Sequence, residues 1–404
     1  MLWQPSLSER YTRMSDADLA MAISDRRRRL GEQLVILGHH YQTDEIIRHA
    51  DFTGDSLKLS QLAGSVAGER DVRWVVFCGV HFMAESADML TSEDVQVILP
   101  DLSAGCSMAD MADIDDTIAA WDAISGSLAR AGWTGRLVPV TYVNSSAAIK
   151  AFVGDRDGAC CTSSNADRVF EWAMSQGDDV KILFLPDQHL GRNTAAKFGI
   201  DVARHTCVYD PRLTRQGEPF GGATEEQLLR SQAILWAGHC SVHKLFRPEH
   251  CHKIRQANAD PRSRQQPVRI LVHPECAKEV VDLADLSGST EYIINTVRKS
   301  PPGSRWAVGT EHHLVDRLRR EQEVRGVEVR ILSDCQCMCT TMYRIDQPHL
   351  LWVLDGLCGI GTAADGSDGA PVARNVITVA TDVRNSALRA LSRMLELTTP
   401  QPVN

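Results

Sequence analysis

The chain has 404 residues, of which 43% are hydrophobic and 24% charged, proportions typical of a globular protein of two to three domains. The formal net charge of −9 argues against nucleic acid as a partner, because nucleic-acid binding needs a basic surface. No apolar run approaches the roughly 18 residues of a membrane span and no secretory signal opens the chain, so we expect a cytoplasmic protein without a membrane partner.

Three segments of similar pattern follow one another along the chain. Each opens with an apolar run that ends in polar residues: LVILGHHYQ at 34–42, LVPVTYVNSS at 137–146 and VRILVHPEC at 268–276. Such runs predict buried parallel strands. A helix-like stretch and then a polar turn that contains serine follow each run.

Each segment then continues with a strand, a polar loop and a helix, and closes with a strand that ends on cysteine. In the first and third segments the spacing from serine to cysteine is 50 residues, from Ser56 to Cys106 and from Ser289 to Cys339. In the second segment the spacing from Ser163 to Cys240 is 77 residues, and we interpret the excess as an insertion near 208–233.

The alternation of strands and helices predicts an α/β fold with parallel sheets. We expect three similar Rossmann-like, three-layer αβα domains arranged around a pseudo-threefold axis. Residues 1–133 would form the first domain with an N-terminal helical segment, 134–262 the second with the insertion, and 263–404 the third with a C-terminal extension. The alternative is three independent Rossmann-like domains that share only their architecture.

Twelve cysteines are a high number for a chain expected in a reducing compartment, and disulfides are rare there. Ligands bind beyond the carboxyl ends of parallel strands, so cysteines at three corresponding strand ends predict one iron–sulfur cluster. Three thiolates on a four-iron cluster would leave one iron open as a Lewis acid. The tract Cys335–Cys339 contains three candidates for the third ligand, and a zinc site is the alternative use of such a tract.

Polar side chains near the same strand ends suit an anionic substrate. The hydrogen-bond donors are Tyr41, Ser56, Tyr142, Asn144, Ser163, Ser289 and Thr290. The alternative for each serine or threonine is an ordinary helix N-cap. His39 and His273 could donate protons or bind anions, and Glu275 is a plausible general base. A lone histidine such as His243 is more often structural, and its spacing indicates nothing more.

The ordered motifs of the chain resemble the quinolinate synthase family, in its longer form, over about residues 34–355. The segments that carry the resemblance are HHYQTDEI, ADFTGDSLKLS, VFCGVHFMAESA, AGCSMAD, TYVNSSAAIKA, TSSNA, FLPDQHLG, GHCSVH, HPEC, LSGST, GTEHHL and CMCTTMYRI. The resemblance implies three similar α/β domains around a pseudo-threefold axis and a [4Fe–4S] cluster with one open iron.

The resemblance also implies the activity. The enzyme, of the transferase class, would condense iminosuccinate with dihydroxyacetone phosphate to give quinolinate, phosphate and two waters, for NAD biosynthesis. Functional coupling to an L-aspartate oxidase would follow from that pathway.

Matching motif by motif, the resemblance assigns site residues. The cluster ligands would be Cys106, Cys240 and Cys339, because the third ligand of the family precedes a two-residue gap and a methionine, here Met342. The substrate-binding residues would be His39, Ser56, Tyr142, Asn144, Ser163, His273, Glu275, Ser289 and Thr290, and the catalytic residues Glu275, His273 and Tyr41. The rival functions are another iron–sulfur hydro-lyase, a non-catalytic iron–sulfur protein and a structural zinc protein.

Overall fold

The computed structural model of the chain describes residues 3–69, 71–260 and 265–398. In chain order the strands are β1 (Leu34–His39), β2 (Phe52–Gly54), β3 (Trp74–Cys78), β4 (Gln96–Ile98), β5 (Arg136–Tyr142), β6 (Ala159–Cys161), β7 (Val180–Leu185), β8 (Thr206–Tyr209), β9 (Ala233–Trp236), β10 (Arg269–Val272), β11 (Leu286–Ser287), β12 (Arg305–Gly309), β13 (Glu328–Ile331) and β14 (Val376–Ile377).

The helices lie between these strands and at both ends of the chain. They are α1 (Glu9–Thr12), α2 (Asp16–Leu30), α3 (Asp44–Ile47), α4 (Ser56–Glu69), α5 (His81–Leu90), α6 (Ile114–Arg130), α7 (Ala147–Gly154), α8 (Ala166–Met174), α9 (Gln188–Lys197), α10 (Val202–His205), α11 (Pro211–Thr214), α12 (Glu225–Arg230), α13 (Pro248–Asn258), α14 (Lys278–Leu283), α15 (Thr290–Arg298), α16 (His312–Glu323), α17 (Gln347–Leu357) and α18 (Thr381–Thr398).

The strands form three sheets that share one strand order. The orders are β2-β1-β3-β4, extended by β14; β6-β5-β7-β9, extended by β8; and β11-β10-β12-β13. Within the described part of the chain, every strand pairing is parallel except that of β14 with β4. The predicted α/β fold class, with three Rossmann-like three-layer αβα domains built on parallel sheets, is therefore confirmed.

The apolar runs of the sequence form the central strands of these sheets. All six residues of β1 and of β7 are buried, as parallel strands covered by helices on both faces require. The segments expected as serine-containing turns differ from the prediction, because each begins with a short strand (β2, β6 or β11) and continues as a helix (α4, α8 or α15). Strands of two or three residues are too short to show a period in the sequence.

The segment near 208–233 adds secondary structure to the second sheet. It contributes β8, which pairs with β9 at the sheet edge, and the short helices α11 and α12. After the third sheet the chain returns to the earlier ones: α17 packs on α2, β14 pairs with β4, and α18 packs on α7 and β6. The domain boundaries at 133/134 and 262/263 stay a prediction.

The described residues divide into two compact units. Unit 1 contains the residues up to Cys106 and those from Met338 to Ala380, and unit 2 contains those from Ser107 to Cys337 and from Thr381 onward. The first sheet lies in unit 1, and the second and third sheets lie in unit 2. Within the described ranges, no helix is both long and apolar enough to cross a membrane.

Candidate functional site

The first strand of each sheet ends at, or directly before, a predicted substrate residue. His39 ends β1, Tyr142 ends β5, and His273 follows β10. The residues two positions later are Tyr41, Asn144 and Glu275. Backbone hydrogen bonds align the first two of these loops, since His40 N–H donates to Gly54 O (3.1 Å) and Val143 N–H donates to Cys161 O (2.8 Å). The first two loops therefore present their side chains from equivalent positions at the carboxyl ends of the strands, and in the third sheet His273 lies one residue beyond β10.

The predicted serines are equivalent as well. Ser56, Ser163 and Ser289 each lie two residues beyond the last residue of β2, β6 or β11. Ser289 is also an ordinary N-cap, because its Oγ accepts a hydrogen bond from Tyr292 N–H at 3.3 Å. That bond uses the oxygen and leaves the hydroxyl proton of Ser289 to donate.

The three predicted cluster ligands occupy one repeated loop. The sequence suggested that each of these cysteines ends a strand. Instead, Cys106 follows β4 by eight residues, Cys240 follows β9 by four, and Cys339 follows β13 by eight. A 3₁₀ turn begins three residues after each cysteine, at Ala109, His243 and Met342. The N-cap of the next α-helix lies seven residues after each cysteine, at Asp113, Arg247 and Asp346.

A backbone hydrogen bond anchors each of these loops at the residue two positions before the cysteine. His81 N–H donates to Ala104 O (2.9 Å), Gln188 N–H to Gly238 O (3.0 Å), and His312 N–H to Cys337 O (2.9 Å). The donor is in every case the first residue of the helix that follows the third strand. In this register Cys339 is the equivalent of Cys106 and Cys240, and Cys337 is not.

The thiol of Cys337 is turned into the protein. The residue is fully buried, its Sγ lies 3.1 Å from Ser333 Oγ and 3.7 Å from Cys335 Sγ, and burial raises the pKa of the thiol to about 12. Cys339 is half-buried, as are Cys106 and Cys240.

In unit 1, residues that adjoin the predicted site residues hydrogen-bond one another. Gln42, at the end of the first loop, donates from Nε2 to Met342 O at 3.1 Å, within the 3₁₀ turn that follows Cys339. Arg344 in the same turn donates to Ser103 Oγ (3.1 Å), three residues before Cys106. Side chains near both cysteines of this unit are therefore held by direct contacts.

The histidine of the first loop has a defined tautomer. Tyr41 N–H donates to His39 Nδ1 at 3.1 Å, so Nδ1 is an acceptor and a neutral His39 carries its proton on Nε2. The same bond recurs in the third sheet, where Glu275 N–H donates to His273 Nδ1 at 3.3 Å.

Unit 2 contains a group of buried polar side chains that the sequence only partly predicted. His243 Nδ1 lies 2.7 Å from Glu275 Oε2, and His243 Nε2 lies 3.2 Å from Thr310 Oγ1. The His243 ring stacks on His273 at 4.5 Å between centroids, and Tyr142 hydrogen-bonds Glu275. His243 and Thr310 were missed by the sequence reasoning, although Cys240 and His243 are spaced as Cys-x-x-His, a signal that could have drawn attention.

The titratable side chains of this buried polar group differ in the direction and cause of their pKa shifts. Burial alone would raise the pKa of Glu275, but the nearby His243 and His273 rings and hydrogen bonds from His243 and Tyr142 hold that pKa below its usual value. Burial, helped by the His243 charge, lowers the pKa of His273 to about 3. Near neutral pH, Glu275 is therefore ionised and His273 is neutral.

A second buried carboxyl supports the loop of Cys240. Asp187 is fully buried and caps α9, since its Oδ1 accepts from Leu190 N–H at 2.7 Å. Its Oδ2 accepts from Cys240 N–H at 3.2 Å. Burial, and after it the charge of Glu275, raises the pKa of Asp187 well above its usual value.

A cleft of about 420 Å³ in unit 2 reaches the same loops. Its lining includes Ser163, Pro274 and Gly288, which belong to or adjoin predicted substrate residues. Lys197 and Lys278 also line the cleft, each paired with an aspartate, so its wall carries both charges.

Donor atoms for a metal group and for a ligand are present. One potential ligand atom from each of Cys240, His243 and Glu275 lies within 4.8 Å of the other two. Among the described residues, this is the one group of three or more His, Cys, Asp or Glu side chains placed so that they could hold a metal ion. Asn144 Oδ1 is buried and accepts no hydrogen bond from the described part of the chain. A thiolate at one position in each of three equivalent loops suits an iron–sulfur cluster, and an unsatisfied amide oxygen suits a polar ligand.

Comparison with known proteins agrees with these features. The family model "Quinolinate synthetase A protein" matches residues 22–396. The quinolinate synthase of Acidobacterium capsulatum is 47% identical over 389 residues, 96% of this chain and 95% of the relative. That of Geobacillus kaustophilus is 48% identical (97% and 96% covered), and that of Streptomyces coelicolor 47% identical (95% and 89% covered). The chain therefore belongs to the quinolinate synthetase A family.

Proposed function

We propose that this protein is a quinolinate synthase that condenses iminosuccinate with dihydroxyacetone phosphate, releasing phosphate and two waters, to give quinolinate for NAD biosynthesis. The observation that carries the proposal is the threefold repetition of one cysteine loop, with the same anchoring bond, 3₁₀ turn and helix cap after Cys106, Cys240 and Cys339. Such regularity supports a shared role for the three thiols. The family match over residues 22–396 supports the choice of reaction.

In this proposal Cys106, Cys240 and Cys339 hold one [4Fe–4S] cluster. When bound, the cluster would supply a Lewis acid through an iron that no cysteine ligates. The buried, inward thiol of Cys337 supports its exclusion from the ligand set. Such a cluster is stable in a reducing environment, so the proposal includes a cytoplasmic location and a supply of iminosuccinate from an L-aspartate oxidase.

The chain's polar groups would bind and orient the two reactants. Two neutral histidines, His39 and His273, would donate from Nε2 to substrate oxygen atoms, because Nδ1 of each already accepts a backbone N–H. Serine, threonine, tyrosine and asparagine donors would hold the carboxylates and the phosphate: Ser56, Tyr142, Asn144, Ser163, Ser289 and Thr290. Holding both reactants in one orientation removes much of the entropic barrier to condensation.

Glu275 would be the general base of the proton transfers. It is held ionised by its surroundings, and it lies on a strand-end loop beside the neutral His273. A carboxylate so placed can remove a proton from substrate and return it during the loss of water. Tyr41, at the equivalent position of the first loop, would act with Glu275 and His273 as a further proton donor.

The direct test is an anaerobic assay of the purified protein after cluster reconstitution. With both substrates we expect quinolinate and phosphate in equal amounts, and with either substrate omitted we expect neither product. Glu275→Gln should keep the iron content and lose at least about 100-fold in kcat, as for removal of a general base, whereas Glu249→Gln on the exposed face of α13 should not. A fully loaded wild-type protein that makes no quinolinate would refute the proposal.

A further inference from the structure

His243 occupies a position that the repeat does not require to be histidine. The equivalent first residues of the other two 3₁₀ turns are Ala109 and Met342, both of them buried. The turn therefore forms with an apolar residue at this position, and its geometry does not explain an imidazole. Burying a histidine costs free energy unless both ring nitrogens form hydrogen bonds.

Both nitrogens of His243 have partners, and both partners come from the third sheet. The residue is 1% exposed, with Nδ1 at 2.7 Å from Glu275 Oε2 and Nε2 at 3.2 Å from Thr310 Oγ1. Glu275 follows β10 and Thr310 follows β12, and these strands are hydrogen-bonded neighbours. One ring thus joins the Cys240 loop of the second sheet to two adjacent strand ends of the third.

The direction of the first hydrogen bond follows from the charge of its partner. An ionised carboxylate has no proton to donate, so His243 Nδ1 must be the donor to Glu275. Charge-assisted bonds of this kind are short and hold their acceptor in one orientation. The face of the ring is also fixed, because it stacks on His273 at 4.5 Å with an interplanar angle of 20°.

We infer that His243 is a positioning residue, which holds the Glu275 carboxylate in the orientation it needs as a base and takes its own orientation from Thr310. This inference rests on the proposed role of Glu275. The carboxylate also accepts a hydrogen bond from Tyr142, so His243 and Tyr142 together would fix the oxygen that faces the substrate. A base held in this way needs no reorientation before each proton transfer.

The test compares three variants of the reconstituted holoenzyme. His243→Met introduces the residue of the equivalent turn, so the turn should fold, and we expect kcat to fall about 100-fold with KM changed by less than about twofold. His243→Asn restores a donor near the Nδ1 position and should recover about tenfold in kcat over His243→Met. His252→Asn, at an exposed histidine of α13, is the control and should match the wild type.

The outcomes separate the inference from the function on which it rests. A wild-type kcat in His243→Met, an Asn variant no better than the Met variant, or a loss of cluster iron in His243→Met would each overturn the positioning role while leaving the proposed reaction standing. Absence of quinolinate from the loaded wild type and from His252→Asn would overturn both.

Discussion

At the residue scale, the surroundings of two buried carboxyl groups shift their pKa values in opposite directions. The pKa of Glu275 is lowered, against its burial, by two imidazole rings and two hydrogen bonds, whereas burial and the charge of Glu275 raise the pKa of Asp187. The two groups therefore suit different tasks. Glu275 stays ionised near neutral pH, whereas Asp187 holds the backbone of α9 and of Cys240 in place.

His273 makes a prediction about the pH dependence of stability. Its pKa is about 3 in the folded protein and near 6.5 when solvated, so between these values the unfolded chain binds a proton that the native protein does not. The stabilising contribution is fully present above about pH 6.5 and is lost as the pH falls, by at most about 1.4 kcal/mol per pH unit.

The measurement is urea unfolding of the cluster-free protein at pH 7, 6 and 5. The free energy of unfolding should fall more steeply with decreasing pH in the wild type than in His273→Asn, and His252→Asn should follow the wild type. Parallel lines for the wild type and His273→Asn would show that folding does not lower the pKa of His273.

At the element scale, the sequence revealed the repeat but not its register. The distances counted along the chain from strand to serine differ among the segments, yet Ser56, Ser163 and Ser289 all lie two residues beyond a short strand. Those strands could not be recognised, because two or three residues carry no periodic signal. The choice of Cys339 over Cys337 needed a family motif at first, and the backbone bond to Cys337 O now supports it independently.

Long-range packing was equally hidden from local patterns. The sequence indicated a C-terminal extension but not that α18 would lie against α7. Close approach of these helices depends on Gly154, the last residue of α7, where an added Cβ would lie 1.9 Å from Ser386 O. A contact set by one missing methyl group leaves no pattern in a single sequence.

Gly154→Ala tests this helix contact. The substitution must push α18 away from α7, and we expect a loss of about 1–3 kcal/mol in the free energy of unfolding, seen as a lower Tm. Gly126→Ala in α6 is the matched control, because its Cβ would meet only Arg130 Nη1 at 3.4 Å and alanine favours helix. Equal Tm values for Gly154→Ala and the wild type would mean that the two helices do not depend on this contact.

At the scale of the whole molecule, three αβα units share one strand order. Each unit carries polar side chains and a cysteine beyond the carboxyl ends of its strands. The fold class and most of the candidate residues could be predicted, because buried parallel strands and strand-end polar residues leave clear patterns in a sequence. His243 and Thr310 could not be predicted, because they come together only when the Cys240 loop of the second sheet packs against the strand ends of the third sheet.

A count of iron and acid-labile sulfide per chain tests whether the three equivalent cysteines hold one cluster, as we propose. The proteins to compare, after anaerobic reconstitution, are the wild type, Cys339→Ser and Cys337→Ser. We predict about four irons and four sulfides in the wild type and in Cys337→Ser, and loss of the cluster in Cys339→Ser. A full count in Cys339→Ser together with loss in Cys337→Ser would contradict the ligand assignment that we draw from the repeated loops.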